Sequence, residues 1–575
     1  MAGFNLGNYA GIDALGRKLP SSEAVGLPRQ NRYVGMFYFI NLTWSGDIRP
    51  FRDNMKIWAE TPEAFRDVAH PIWDTDGCYW GEPLFGYYDH GDEWVIRRHV
   101  MLLILAGVDF IVFDTTNLTM HRENALKVIE VFHEFRQRGW EAPRFAFYTN
   151  SESGIRAQEI YESVYKEGRY EESWFQPDGK PLLIARPELC SEEVRDFFDI
   201  RLSQWPTEQV RRTGAFPWMA FERPQTVFLD RAGGKEVISV SPAQHPQIKF
   251  GDSAFHGEQR NRGRSFHQAF HTVGNDCAAG AVNWGYNIAE QWEYAIDQDP
   301  RMVFVTGWNE WAAGPFKRPE DRERPVTFID TASQEYSRDL EPMRGGHFDN
   351  YYMQLADYVR RYKGCGPIPE GKRKVSIDID GDFSQWEGVE TAYRGFPFFE
   401  ISRNHMGMDG RLYVNESGRN VFDVLKVAWD DDNVYFYAKC FEPITAYNFT
   451  PWMLLFLRVV RENQDPLDHP SWAGYHYLVN HELLDGRNTL VYECLGGWRW
   501  KSASVAPIRC EGREFHMAVP RPALGLAEKG KFRIEFKWAD HISETEDVDD
   551  FYLNGCSAPY GRMNFVYLGG CAEPE

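Results

Sequence analysis

Three short stretches of the chain set acid side chains where chemistry can use them. In Val303-Phe304-Val305-Thr306-Gly307-Trp308-Asn309-Glu310-Trp311, a carboxylate and an amide stand between two indoles directly after an apolar run. Indoles exclude water from a neighbouring carboxyl and offer faces on which a pyranose ring can stack. Asp114, followed by Thr115, Thr116 and Asn117, closes another apolar run. It reads either as an N-cap cluster for the next helix or as a carboxylate opposing Glu310. The third stretch, Trp80-Gly81-Glu82-Pro83-Leu84-Phe85-Gly86-Tyr87-Tyr88-Asp89-His90, has neither helical nor strand period and the make-up of a long functional loop. Glu82 is favoured over Asp89 there, since Asp89 and His90 would also suit a solvated turn. For Glu310 the structural alternative is a buried salt-bridge partner or a helix cap.

Two carboxylates flanking a glycosidic bond, one as acid and one as nucleophile or base, need nothing that this sequence lacks. Other chemistries fare worse. There is no G-x-S-x-G elbow. His267 and His271 would share a helix face, but Gln268 stands where the H-E-x-x-H pattern needs Glu. A metal-dependent hydrolase using His256, His267 and His271 stays as an alternative. The run Gly366-Pro367-Ile368-Pro369-Glu370-Gly371-Lys372 imitates a phosphate-binding loop. Arg373 replaces the magnesium-binding hydroxyl, however, and the prolines remove N–H donors, so no nucleotide site is expected. No cofactor and no metal are predicted.

These residues need a frame. Apolar runs that read as buried strands lie at 33–39, 109–113, 144–148, 182–185, 216–221, 237–240, 279–284 and 302–306. Helical patterns lie between them at 93–105, 124–138, 154–166 and 191–199, and an amphipathic helix spans 349–363. About eight such repeats predict an α/β fold, a (β/α)8 TIM-type barrel, rather than a doubly wound sheet. In such a barrel the loops after the strands form the active face, which is where Glu310, Asp114 and Glu82 fall. Residues 364–371 read as a linker. Beyond it the period changes to two, at 374–381 and at 425–430 and 434–439 around the Asp431-Asp432-Asn433 turn. Further strands at 452–459, 476–478, 489–492, 516–519 and 532–538 predict a C-terminal all-β sandwich. The expected domains are an N-terminal extension (1–32), a catalytic barrel (33–363), the linker (364–371) and the sandwich (372–575).

At 575 residues with 43% apolar and 26% charged side chains, the chain can bury more than one core. No apolar run approaches a bilayer span. A net charge of −21, from 84 acidic and 63 basic side chains, repels phosphate backbones and anionic membranes, so neither nucleic acid nor a membrane is an expected partner. Nine scattered cysteines, none in C-x-x-C, predict free thiols. The start shows no basic region followed by an apolar one. A cytoplasmic location is expected, the alternative being a secreted or periplasmic protein whose signal has been removed.

The run Phe304-Val305-Thr306-Gly307-Trp308-Asn309-Glu310-Trp311, with Gly107-Val108-Asp109-Phe110 upstream, resembles the family 99 endo-α-mannosidases and the related WbsX-type proteins. That resemblance implies a (β/α)8 barrel glycoside hydrolase over about residues 33–320 and a catalytic role for Glu310. The family carries a second catalytic Glu three residues later, where this chain has Ala313. The partner carboxylate is therefore expected elsewhere, with Asp114 first and Glu82 second. Ile379-Asp380-Gly381-Asp382-Phe383-Ser384-Gln385-Trp386 and Val427-Ala428-Trp429-Asp430-Asp431-Asp432-Asn433-Val434-Tyr435-Phe436 resemble family 9 carbohydrate-binding modules and their DOMON-like relatives. Such modules bind sugar, in some cases with structural calcium.

The sequence thus predicts a glycoside hydrolase acting on an oligosaccharide or polysaccharide fragment, with a carbohydrate as partner. Trp308, Asn309, Trp311, Asn117, Tyr148, Trp284, His245 and Trp80 are the expected substrate-binding residues. The alternative outside enzymology is a glycan-binding protein on a barrel that has lost one carboxylate, which the missing Glu at position 313 favours.

Overall fold

The computed structural model describes residues 4–244, 262–267, 274–276, 278–322, 325–328, 331–448, 451–460, 473–526, 530–543 and 547–570. The chain folds as two compact units. One comprises Arg29–Lys363 with His405–Tyr413, the other Met1–Pro28, Gly364–Asn404 and Val414–Glu575.

The first unit is built on eight parallel strands: β1 (Tyr33–Tyr38), β2 (Phe110–Asp114), β3 (Arg144–Tyr148), β4 (Leu182–Ala185), β5 (Asp199–Gln204), β6 (Ala215–Pro217), β7 (Lys235–Val240) and β8 (Met302–Val305). Their spatial order is β7-β8-β1-β2-β3-β4-β5-β6, with the short strand Phe228–Leu229 antiparallel to β7 at the edge. This is the chain order wrapped on itself. The Gly214 N–H, at the start of β6, donates to the Leu229 carbonyl at 2.7 Å and brings the two edges together. The sheet is therefore barrel-like. Its interior is filled rather than open. Phe37 meets Phe304 at 4.7 Å and Tyr148 at 5.5 Å, and Phe216 meets Phe304 at 4.9 Å. Each such ring contributes about 1.5–3 kcal/mol through burial. β1 is also drawn close to β2 at Gly35, where an added Cβ would fall 2.1 Å from the Phe110 ring.

Besides the seven-residue helix Asn54–Glu60, six α-helices accompany these strands among the described residues: α1 (Glu93–Ala106), α2 (Arg122–Gln137), α3 (Ser153–Ile160), α4 (Glu192–Phe197), α5 (Tyr286–Gln298) and α6 (Asn350–Lys363). α1 begins at Asp92, whose side chain accepts the Val95 N–H, and α4 begins at Ser191, which accepts from Val194. The links from β5 to β6 and from β6 to β7 carry no α-helix.

Two expectations about this unit are corrected. Ala279–Trp284 is not a strand. Gly280 and Gly285, both at positive φ, bracket a 3-10 turn over Ala281–Asn283 that leads into α5. The strand missing from the sequence reading is β5. Its polar residues hid it, because a strand of a parallel sheet is expected to be a continuous apolar run. Arg201 is buried there against Asp178, Asp199 and Glu236.

The second unit is an antiparallel sheet of twelve strands. Its nine longer strands are, in chain order, β9 (Phe422–Trp429), β10 (Asn433–Cys440), β11 (Leu454–Val460), β12 (Tyr477–Asp485), β13 (Asn488–Cys494), β14 (Trp500–Glu511), β15 (Glu514–Pro520), β16 (Phe532–Asp540) and β17 (Asn564–Gly569), and their spatial order is β17-β16-β11-β12-β13-β14-β15-β10-β9. β14 is twelve residues long and pairs with β13 along its first part and β15 along its last. Rings from the two halves meet, Phe436 on Phe536 at 5.8 Å and Phe515 on Trp538 at 5.8 Å. Tyr9–Ala10 pairs with Asn564 and Phe565, so the N-terminal stretch is an edge strand of this sheet. The alternating segment 374–381 forms no ladder. Val375 donates one bond to Trp429, while Val375, Ile377 and Ile379 pack around the buried Trp386. None of the seven described cysteines is paired in a disulfide, and among the described residues no helix is long and apolar enough to cross a membrane.

Candidate functional site

β8 delivers the Trp308–Trp311 motif to a fixed place. Gly307 turns the chain at φ +109°, and a Cβ there would fall 2.5 Å from the Arg338 carbonyl and 2.7 Å from Asp339 Oδ1. Only glycine permits both the turn and the approach of the 338–339 segment. Asn309 then clasps the end of β1. Its Oδ1 accepts the Phe39 N–H at 2.8 Å and its Nδ2 donates to the Phe39 carbonyl at 3.0 Å. Asp339 Oδ1 accepts the Glu310 N–H at 2.7 Å, and Trp80 Nε1 donates to the Glu310 carbonyl at 3.1 Å. With its backbone held on both sides, Glu310 extends its carboxylate to Arg338, Oε2 lying 3.1 Å from Nη2. The guanidinium is only 3% exposed and the carboxylate 19%, so the pair reaches water through Glu310.

Asp114 is the last residue of β2. Its Oδ1 accepts the Thr116 N–H at 2.9 Å and the Thr116 hydroxyl at 2.7 Å, and its Oδ2 accepts the Trp218 indole N–H at 3.0 Å. The Thr116 contacts close a local turn at the strand end and cap no helix, because α2 begins at Arg122 with His121 as its N-cap, which corrects the N-cap alternative. Trp218 follows β6. It stacks on Trp205 at 4.6 Å, and the Arg338 guanidinium lies over its ring at 4.6 Å. Asp114, Trp218, Arg338 and Glu310 thus form one continuous chain of contacts.

Both carboxylates open into a cavity of about 510 Å³. Phe39, Trp205, Trp218 and Phe316 give it aromatic walls. Asn41, Thr116, Asn117, Thr119 and His121 supply polar groups, and Ala313 lines it as well. His121 occupies the N-cap of α2 in a left-handed conformation at φ 48° and makes no capping bond. A helix start that forgoes a Ser, Thr, Asp or Asn cap for a strained histidine at a cavity breaks the local rule where function is expected. Burial lowers the His121 pKa below its ordinary value, while the Asp114 charge works in the opposite direction.

The other sequence-predicted residues fall into four groups. Asn117 joins Asp114 and Glu310 at the cavity. Trp308, Trp311, Trp80 and Tyr148 are fully buried and offer no face to a substrate, which corrects their assignment. Trp311 stacks on Trp80 at 4.3 Å, and the Tyr148 hydroxyl bonds the Phe216 carbonyl at 3.0 Å, tying β3 to β6. They hold the site's frame. Glu82 lies apart from the cavity in surface ion pairs with Lys56 at 3.1 Å and Arg344 at 3.3 Å. Trp284, 41% exposed, lies beside Tyr286 ahead of α5 and does not line the cavity. His245, His256 and His271 lie outside the described residues. His267 is on the two-residue strand Phe266–His267, not on a helix. No group of three His, Cys, Asp or Glu side chains among the described residues could hold a metal ion.

Sequence reasoning passed over Trp205, Trp218, His121 and Arg338. Trp218 lay inside a stretch read as buried strand, and Trp205 follows the missed β5. It also passed over a second carboxylate centre. Glu341 is wholly buried, accepting Trp311 Nε1 at 2.5 Å and the Tyr88 hydroxyl at 2.6 Å on Oε2, with His99 Nε2 3.0 Å from Oε1. The Tyr38 hydroxyl meets His99 Nδ1 at 2.8 Å. Burial and then the Glu341 charge push the Tyr88 phenol pKa up.

No family model matches the sequence, and no curated protein is matched. Among solved structures, a GH99 endo-alpha-mannosidase from Bacteroides thetaiotaomicron is similar at 14% identity, over 57% of this chain and 97% of its own, with a TM-score of 0.35. The same organism's enzyme in complex with Bis-Tris propane gives 15% identity, 57% and 97% coverage and a TM-score of 0.34. A glycoside hydrolase-like protein gives 10% identity over 58% of this chain and 94% of its own, with a TM-score of 0.27.

Proposed function

We propose that this protein is a glycoside hydrolase that uses Glu310 and Asp114 as its carboxylate pair. The observation that carries the reading is that both carboxylates open into one cavity of about 510 Å³ that also has aromatic and amide or hydroxyl walls. A sugar ring presents C–H faces to aromatic groups and an edge of hydroxyls to polar ones, and its glycosidic oxygen needs a proton as the bond breaks. One carboxylic acid supplies that proton. The other attacks the anomeric carbon or draws a proton from the attacking water. Arg338, paired with Glu310 and lying over the ring that bonds Asp114, keeps the two aligned. On this reading the first unit is a (β/α)8 barrel that has shed two helices, and residues 372–575 are a β-sandwich of the carbohydrate-binding type.

The test is reducing-sugar release over a broad panel of glycans and aryl glycosides in the presence of EDTA, for the wild type, Glu310→Gln and Asp114→Asn. Turnover that both substitutions suppress supports the pair, and turnover indifferent to either removes that residue from it. Ala313, which lines the cavity without a carboxylate, favours a second reading, a glycan-binding protein, which predicts retention of glycans with no product.

A further inference from the structure

The cavity's walls restrict what can lie between the two carboxylates. Trp205 is half-buried and comes from the loop after β5. One face of its indole is covered by Trp218, with ring planes 29° apart, and among the described residues no other ring packs on it. Trp218 cannot tilt away to follow a ligand, because its N–H is bonded to Asp114 and the Arg338 guanidinium lies over its ring. Trp205 is thus a half-exposed aromatic plane backed by a fixed one, and it faces a cavity that also holds Asp114 and Glu310. A second indole behind the first fixes the orientation of the plane before anything binds, which removes part of the ordering cost of binding.

The rest of the lining fits the same ligand. Asn41, Asn117, Thr119 and His121 can donate and accept hydrogen bonds along an edge of hydroxyls. Among the described lining residues the ionisable groups are the two carboxylates and His121. The nearest cation, Arg338, is only 3% exposed, lies behind the wall and is engaged with Glu310, so a sugar bearing its own carboxylate or sulfate would meet the carboxylates with no cation among the described lining residues.

We infer that Trp205 is the stacking platform of this site and that the site takes uncharged pyranosides, the C–H face of the ring lying on the indole and its hydroxyls turned to the polar wall. The inference rests on the cavity described above and deepens the hydrolase reading by naming its substrate class.

An array carrying neutral gluco-, manno-, galacto- and xylo-oligosaccharides beside hexuronate oligosaccharides tests it, with Glu310→Gln as the non-cleaving form of the full chain. Glu310→Gln is expected to retain one neutral series. Trp205→Ala in that background is expected to bind that series at least tenfold more weakly, and Trp205→Phe, which keeps a ring, less than threefold. Melting curves of all three variants identify any that fail to fold, and Trp205→Phe keeps the comparison if Trp205→Ala does. Affinity within twofold for a folded Trp205→Ala overturns the platform, as does preference for the hexuronates or silence towards every neutral series. Retention by the wild type without cleavage overturns hydrolysis and leaves the platform standing. Cleavage by Trp205→Ala at unchanged KM overturns the platform and leaves hydrolysis standing.

Discussion

Glu310 belongs to the four-residue motif, Glu341 reaches it from another segment through Trp311, and the two acids meet opposite fates. Glu310 is held through its backbone and pairs with a guanidinium, and its carboxylate, 19% exposed, lines a cavity. Glu341 has an indole, a phenol and an imidazole around its two oxygens and no exposure at all. With three of its roughly four acceptor sites engaged and no exposed surface, this carboxylate is out of a substrate's reach. The difference separates two uses of a buried acid. One keeps part of its surface at a cavity where it can exchange a proton, while the other is spent on keeping Trp311, Tyr88 and His99 in place.

Exchanging each acid for its amide should reverse the pattern. Glu310→Gln is expected to lower kcat by about 10²–10⁴-fold, the usual range for a lost acid or base, with a melting temperature within about 2 °C of the wild type. Asp114→Asn should lose turnover in the same range, since its indole and hydroxyl donors then face an amide. Glu341→Gln should instead cost about 3 kcal/mol of stability, because the buried indole and phenol donors lose their charged acceptor. Its folded fraction should still turn over substrate. A Glu341→Gln protein that is stable and inactive would collapse the distinction. Urea unfolding with parallel activity assays reads both.

Arg338 sharpens the contrast from the Glu310 side. Removing its charge with Arg338→Met frees the Glu310 carboxylate and uncovers the Trp218 ring, without touching Glu341. A misplacement of about 1 Å at a reacting group costs about 10²-fold in rate, and that is the loss expected in kcat. Arg338→Lys keeps the charge without the planar fork and should fall between. The pH dependence of kcat/KM should move in Arg338→Met and stay in place for a variant that only loosens the fold.

The two carboxylates of the cavity were legible in the sequence for a simple reason. Each closes an apolar run, and a polar residue at the end of a buried strand lies on the mouth of such a sheet. The supporting groups were not legible, because their roles depend on contacts between segments far apart in the chain. Arg338 acts through Trp218, which precedes it by 120 residues, and neither has a local signature. The same limit explains the indoles of the motif. Beside Glu310 they read as sugar platforms, yet Trp308 and Trp311 turn inwards, and the indoles that line the cavity are Trp218 and Trp205, the latter just past a strand whose alternating polar residues concealed it. The number of parallel strands was correctly expected to be near eight only because one false strand at 279–284 stood in for the missed β5. In the second unit the β9–β10 hairpin was plain from its acidic turn, whereas β14, largely exposed and interrupted by Pro507, carried too little apolar pattern to be seen.

The smallest effect concerns the pH response of the buried side. His90 packs against Tyr88 at 5.7 Å, next to the Glu341 centre, and its Nδ1 accepts the Leu42 N–H at 3.2 Å. Burial first, then the neighbouring His99 and His121, lower its pKa well below the ordinary 6.5. Above pH 6.5 the ring is neutral in both folded and unfolded chains and contributes no pH dependence. As the pH falls below 6.5 the unfolded chain takes up the proton first, so stability declines until the folded pKa is reached. At one pH unit below 6.5 this amounts to about 1.4 kcal/mol. His90→Asn keeps an acceptor for Leu42 and removes the titration. Between pH 7.5 and 5.5 the wild type should therefore lose about 1.4 kcal/mol more unfolding free energy in urea than the variant does. Equal losses would mean that His90 takes up its proton in the native state. Water would then reach the Glu341 side of the motif, and the contrast with Glu310 would be one of degree.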